Sequence, residues 1–162
     1  PGLMYRPRPS SAMASPVDTV VYTTHLLFAA LWTGAVVLFV AGVLPSGVSG
    51  AIRPEPLAAV TGRLTTLSRA SAVVLFLTGG HMAGTRYTVR SLTGSTRGYL
   101  VLAMIGLWLA LAALVEVGGS RMREGLAAEK VRSPAREARP FYRAGAVVAL
   151  ALLVVAGLLI AG

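Results

Sequence analysis

Residues 19 to 44 read TVVYTTHLLFAALWTGAVVLFVAGVL, and no charged side chain occurs between Asp18 and Arg53. A bilayer core of about 30 Å needs roughly 20 apolar residues of helix, and this run exceeds that. Its start is marked by Ser15-Pro16-Val17-Asp18. Serine serves as an N-cap, proline suits the first helical position, and aspartate favours the positive end of the helix dipole. Pro45 and the Ser46-Gly47-Val48-Ser49-Gly50 stretch are expected to end the span. The run is too long for the apolar region of a cleaved signal peptide and lacks a small-residue cleavage pattern, so no cleavage is expected.

Three further apolar blocks follow. The second helix restarts at Pro54-Glu55-Pro56, with its membrane part between Arg69 and Arg86, roughly 25 Å at about 1.5 Å per residue. The third runs between Arg97 and Glu116 and is expected to close at Gly118-Gly119. The fourth follows Pro140 and runs from Phe141 to the end of the sequence. The expected spans are 16–44, 56–86, 98–117 and 141–161, and the basic run from Arg121 to Arg143 reads as a solvated loop. Short connections make consecutive helices antiparallel neighbours. The fold class is therefore an all-α integral membrane protein, an antiparallel up-and-down four-transmembrane-helix bundle in one domain, 15–162. Residues 1–14 read as irregular and partly foreign to the natural chain, with Met13 as its start, and take no part in the fold argument.

Composition agrees. The chain is 55% hydrophobic and 13% charged, against about 25% charged in soluble domains. It has no cysteine, which excludes disulfides, thiolate zinc sites and cysteine-ligated iron–sulfur clusters. The net charge of +9 is that of basic loops anchoring a bilayer, and no nucleic-acid partner is expected. Arg53, Arg63, Arg69 and the Arg121–Arg143 run lie on one side. Arg6, Arg8, Arg86, Arg90 and Arg97 lie on the other. The positive-inside rule then places loops 1–2 and 3–4 in the cytoplasm and both termini outside a plasma membrane. Small residues at four-residue spacing, Ala30 with Gly34, Gly145 with Ala149 and Gly157 with Ala161, suit close helix approach within the bundle or in a homo-oligomer.

The sequence has two histidines, His25 and His81, each inside an apolar span. Ionisable groups in a membrane are costly and mark function. His25 follows Asp18 by roughly 10 Å of helix rise, and His81 precedes Arg86 by roughly 8 Å, so both are expected in the outer half at nearly one depth. Two imidazoles at one depth can ligate one iron from opposite sides, and b-type haem is the expected cofactor. Gly79, Gly80 and Ala29 would leave room for the macrocycle, Trp32 would pack on it, and Tyr22, Arg86, Arg90, Arg97 and Tyr87 would meet its propionates. Helices packed 8–10 Å apart cannot hold iron between two imidazoles, so the outer half must be splayed. A copper site is the alternative, with Met82 or Met104 adding a thioether. Met82 lies about 100° round the helix from His81 and does not converge with it easily. One haem near one face needs a quinone or another redox partner. No hydrolytic triad, phosphate loop or paired intramembrane carboxylate is present. The functional classes are an electron-carrying or redox-sensing haem protein, a copper-handling protein, and a non-catalytic subunit of a larger complex.

His25-Leu26-Leu27-Phe28-Ala29-Ala30-Leu31-Trp32-Thr33-Gly34 resembles the first-helix pattern of the copper resistance D (CopD-like) membrane domain, and Leu67-Ser68-Arg69-Ala70 with Leu77-Thr78-Gly79 resembles its second. His25, Trp32 and Gly34 map onto the first motif; a histidine after the threonine–glycine, His81, departs from the second. The third and fourth helices match in hydropathy alone. The resemblance implies a four-helix membrane domain and a link to copper.

Overall fold

The computed structural model describes residues 15–161; the reading of residues 1–14 falls outside them. Ser15 caps α1 (Pro16–Leu38) by accepting from the Asp18 amide at 3.1 Å. A single π-helical turn, Phe39–Val43, joins α1 to α2 (Leu44–Ser49), so the three pieces form one rod. Pro45 therefore does not end the helix. Proline lacks an N–H and its ring crowds the carbonyl four residues back, here Ala41. The Leu44 amide instead reaches back to the Phe39 carbonyl, and the wider turn absorbs the proline. The rod stops at Gly50, whose φ of 74° is left-handed and where a Cβ would strike the Arg132 side chain.

The next helix, α3 (Pro54–Arg86), begins with proline in its first turn and ends with Arg86 against its negative pole. A short α4 (Val89–Gly94) is opened by a reciprocal Thr88–Ser91 cap. α5 (Thr96–Ala127) follows, capped by Ser95 onto the Gly98 amide at 3.0 Å. Gly98 allows the α4–α5 corner, because a Cβ there would run into the Leu92 and Ser91 carbonyls. The last helix is α6 (Arg132–Ala161).

Two expectations about boundaries are corrected. Gly118-Gly119 lie inside α5 rather than after it. A helical glycine costs about 1 kcal/mol against alanine, and here it permits contact: a Cβ at Gly118 would sit 3.0 Å from the Tyr142 ring, and one at Gly119 2.7 Å from Thr65 Oγ1. The Arg121–Arg143 run is helical except for a short turn after Ala127, and Pro140 lies within α6 rather than before it. Pro134, Ala135, Ala138 and Tyr142, on one side of this N-terminal part of α6, are buried. The segment is thus held by packing although its exposed side is basic.

Contacts fix how neighbours run. Asp18 and His25 on α1 meet His81 and Thr78 on α3. Arg69 and Phe76 on α3 meet Glu116 and Trp108 on α5. Gly118 and Gly125 on α5 meet Tyr142 and Pro134 on α6. Phe39 packs at a tilt against Tyr142 with centroids 4.6 Å apart, while a Cβ at Gly47 would lie 3.2 Å from Ala135 Cβ. Each of these pairs has rising numbers on one helix and falling numbers on the other. Three helical segments are long and apolar enough to cross a membrane: Pro16–Ser49, Thr96–Ala127 and Arg132–Ala161. The uncharged part of α3, between Arg69 and Arg86, is shorter and carries Thr78, Gly79, Gly80, His81 and Gly84.

Burial is strongly lopsided. Buried residues begin at Trp32 on α1, end at Leu75 on α3, begin at Leu111 on α5 apart from Gly98, and end at Ala149 on α6. The basic end therefore has a packed core of Leu57, Leu64, Val115, Met122, Leu126 and Tyr142. The opposite end, which holds both histidines, is open and exposes Leu26, Leu27, Leu77, Leu102, Ile105 and Leu158. Gly145 and Ala149 serve the internal α5–α6 contact, whereas a Cβ at Gly34 or Gly157 would meet nothing within 4 Å.

Gly118→Val should lose about 1–3 kcal/mol by overpacking against Tyr142. Gly106→Ala, where a Cβ meets nothing within 4 Å, should gain up to about 1 kcal/mol of helix propensity. Thermal unfolding in detergent would check both; equal behaviour of the two variants would contradict the packing described.

Candidate functional site

The open end brings α1 and α3 together through polar side chains. His25 Nδ1 lies 2.8 Å from Thr78 Oγ1, and Thr78 Oγ1 lies 2.7 Å from the Val74 carbonyl. A hydroxyl has one proton, and the carbonyl can only accept. Thr78 therefore donates to Val74 and accepts from His25, so neutral His25 carries its proton on Nδ1. Its Nε2 lone pair is left free. A ring nitrogen locked as a donor with the other nitrogen open is how proteins present imidazole to a metal. Gly79 completes the seat, because a Cβ there would come within 3.3 Å of His25 Cε1. The His25 ring fills the space beside Gly79. Gly80 does face open space.

His81 has a different partner. Its Nε2 is 3.5 Å from Asp18 Oδ1, and both side chains are nearly half exposed, 41% and 46%. Asp18 also accepts from Ser15 Oγ at 2.8 Å. The two histidines therefore stand on separate steps of the α1–α3 seam, His25 opposite Thr78 and His81 opposite Asp18.

The remaining residues named from the sequence divide. Tyr22, Arg86, Arg90 and Arg97 are exposed at the open end, and Ala29, Tyr87, Met82 and Met104 are partly buried there. Trp32 is not available to a cofactor at the surface of the seam: it is 1% exposed, within the core beside Val36 and Phe39. Among the described residues no group of three or more histidine, cysteine, aspartate and glutamate side chains is placed to hold a metal ion.

Sequence reasoning missed Thr78 and Asp18 as partners. A signal was present. Asp18 and His25 are seven residues apart, two turns on one face of α1, and Thr78 and His81 lie one turn apart on α3. The two steps are unequal, about 10.5 Å against about 4.5 Å of rise, so the pairs depend on side-chain reach as well as on register. At the other boundary, Arg69 binds Glu116 through two bonds, 2.9 and 2.7 Å, and Arg123 adds a third at 3.3 Å. Arg69 on α3 and Glu116 on α5 thus hold each other.

A family model described as Copper resistance protein D matches residues 58–161, and the chain belongs to that family. The matched part contains α4, α5, α6 and nearly all of α3, with Thr78 and His81, and does not reach α1. No curated protein and no solved structure matches the chain.

With two histidines in the chain, selective nitrogen-15 labelling and a His81→Gln variant isolate His25. Its Nδ1 should carry the proton and its Nε2 should have the shift of an unprotonated ring nitrogen. The reverse tautomer would remove the basis for Nε2 as a free ligand.

Proposed function

We propose that this member of the copper resistance protein D family is a copper-handling membrane protein that takes the metal as cargo at its open end. The observation that carries the reading is the 2.8 Å contact of His25 Nδ1 with Thr78 Oγ1, a hydroxyl itself 2.7 Å from the Val74 carbonyl, which assigns the ring proton to Nδ1 and leaves Nε2 as an acceptor with no partner among the described residues. Imidazole suits copper, and thioethers suit its reduced form. His25 is the fixed ligand in this proposal. His81 and Asp18 form the outer step, where the metal is received, and Met82 and Met104, partly buried at the same end, are the reserve of soft ligands. Few ligands favour passage, since a transported ion must be held firmly enough to enter and weakly enough to leave.

The membrane placement belongs to the same proposal. α3 is read as the fourth span, shielded by α1 and α5, in an antiparallel bundle. Its histidine, threonine and glycines are tolerated because they face protein or a wet mouth rather than lipid. By the positive-inside rule the packed basic end is read as cytoplasmic and the histidine end as outer.

The two-histidine haem needs both imidazoles on one iron, whereas here His81 Nε2 lies 3.5 Å from Asp18 and the His25 ring fills the space beside Gly79. Copper titration of the purified full chain, alongside its visible spectrum, separates the two readings. Copper should bind, His25→Ala should abolish tight binding, and His81→Ala should weaken it. Thr78→Val should cost 10–100-fold in affinity, the range for loss of a group that orients a ligand, with Thr78→Ser close to the parent. Copper binding unaffected by His25→Ala would sink the proposal. A haem Soret band that His25→Ala and His81→Ala each destroy would replace copper with haem b.

A further inference from the structure

Two turns of the chain meet at the basic end. In one, α2 stops at Gly50 and α3 begins at Pro54; in the other, α5 stops at Ala127 and α6 begins at Arg132. The same backbone device closes both helices. The Ala51 amide donates to the Ser46 carbonyl at 2.9 Å and the Gly50 amide to that of Gly47 at 3.1 Å. The Lys130 amide donates to Gly125 at 3.1 Å and the Glu129 amide to Leu126 at 3.0 Å. Each pair of bonds folds around one left-handed residue, Gly50 with φ 74° and Glu129 with φ 55°. Arg132 ties the turns together. Its Nε donates to the Ser49 carbonyl at 3.0 Å, and its stem lies where a Cβ at Gly50 would fall.

Between the turns lies a groove of about 840 Å³, lined by Arg53, Lys130, Arg132 and Arg136 and by Glu129 and Glu137. The ion pairs among the described residues are Arg69–Glu116, Arg123–Glu116 and His81–Asp18. Neither groove carboxylate is therefore paired with a groove cation. Four cationic side chains against two carboxylates leave an excess of two positive charges in one concavity, where low-dielectric walls focus the field. The start of α6, a helix of 30 residues, adds to it. The amides of Arg132 and Ser133 lie in its first turn and have no acceptor within the helix.

We propose that this groove binds one phosphoryl group, presented by a lipid headgroup or by free phosphate. Guanidinium groups match phosphate oxygens with paired N–H donors, and a helix start supplies further amides. An excess of two charges suits a single phosphate and is too small for a polyanion such as nucleic acid. Depth admits both sources. The apolar run of α6 begins at Phe141; Arg136 lies five residues before it and Arg132 nine, about 7.5 and 13.5 Å of helix rise. The headgroup layer is roughly 5–7 Å deep on each side of the hydrocarbon. The groove thus starts at the level of the headgroups and opens toward water. It is at the opposite end from His25, and the inference stands whichever cargo that histidine receives.

Two measurements on the full chain distinguish the sources. In detergent at constant ionic strength, inorganic phosphate should raise Tm where chloride does not. In phosphatidylcholine vesicles, spin-labelled phosphatidylglycerol should be held at the protein in preference to spin-labelled phosphatidylcholine. A phosphate effect alone identifies free phosphate as the ligand, and a lipid preference alone identifies the headgroup. Lys130→Gln combined with Arg136→Gln should weaken the observed binding by about tenfold, the scale of one lost charge-assisted hydrogen bond. Both side chains are exposed, so the double variant should fold as the parent does. Arg139→Gln combined with Arg143→Gln removes the same charge from side chains that do not line the groove and should leave binding intact. Absence of both the phosphate effect and the lipid preference would overturn the proposal. So would an equal loss in the two double variants, which would mean diffuse surface charge rather than a site.

Discussion

A peptide group in hydrocarbon has no water to bond, so its N–H and C=O must find partners within the chain. The described structure is a set of answers to that constraint. Its long helices are unbroken over most of their length. Where a residue threatens the ladder, the backbone compensates instead of ending. The π-turn at Phe39–Val43 lets Leu44 bond Phe39 ahead of Pro45, and α6 carries Pro140 between packed turns. Glycine, not proline, is the residue that stops the first rod, because Gly50 takes a left-handed conformation that releases the chain toward α3.

Packing then divides the molecule into two ends. At the basic end small residues let large ones in: Gly118 admits Tyr142, Gly125 admits Pro134, and Gly47 admits Leu57 and Ala135. Dispersion contacts of this kind hold helices together where apolar burial alone does not distinguish a neighbouring helix from lipid. At the histidine end the corresponding glycines, Gly80, Gly84 and Gly106, touch nothing. Rigidity at one end and openness at the other suit a proposed mouth that must admit and release an ion, with His25 standing near the point where the packed core begins.

The polar residues of α3 explain why it is the least apolar of the long helices. Thr78 is engaged twice, by His25 and by the Val74 carbonyl. Thr65 bonds back to the Thr61 carbonyl at 3.0 Å. His81 pairs with Asp18. These side chains lower hydropathy while supplying the seam with donors and acceptors. Arg69 and Glu116, joined by two hydrogen bonds, mark the level at which this economy of paired groups gives way to an openly charged surface.

The sequence by itself determined that the chain is helical and membrane-spanning, where the first helix starts, and that His25 and His81 belong to one end. Hydropathy, capping chemistry and helical rise are local properties and can be read in one dimension. Helix ends were misread at Pro45, Gly118-Gly119 and Pro140 because a proline or glycine breaks an isolated helix, while a packed one holds through it. The partners of the histidines were also beyond local reading. That His25 meets Thr78 and His81 meets Asp18 depends on how α1 slides against α3. That register is set by side chains far from the site, among them Trp32, Val36 and Leu64 in the packed core. A shift of one turn, about 5.4 Å, would exchange every partner along the seam, and only the three-dimensional packing selects among such shifts.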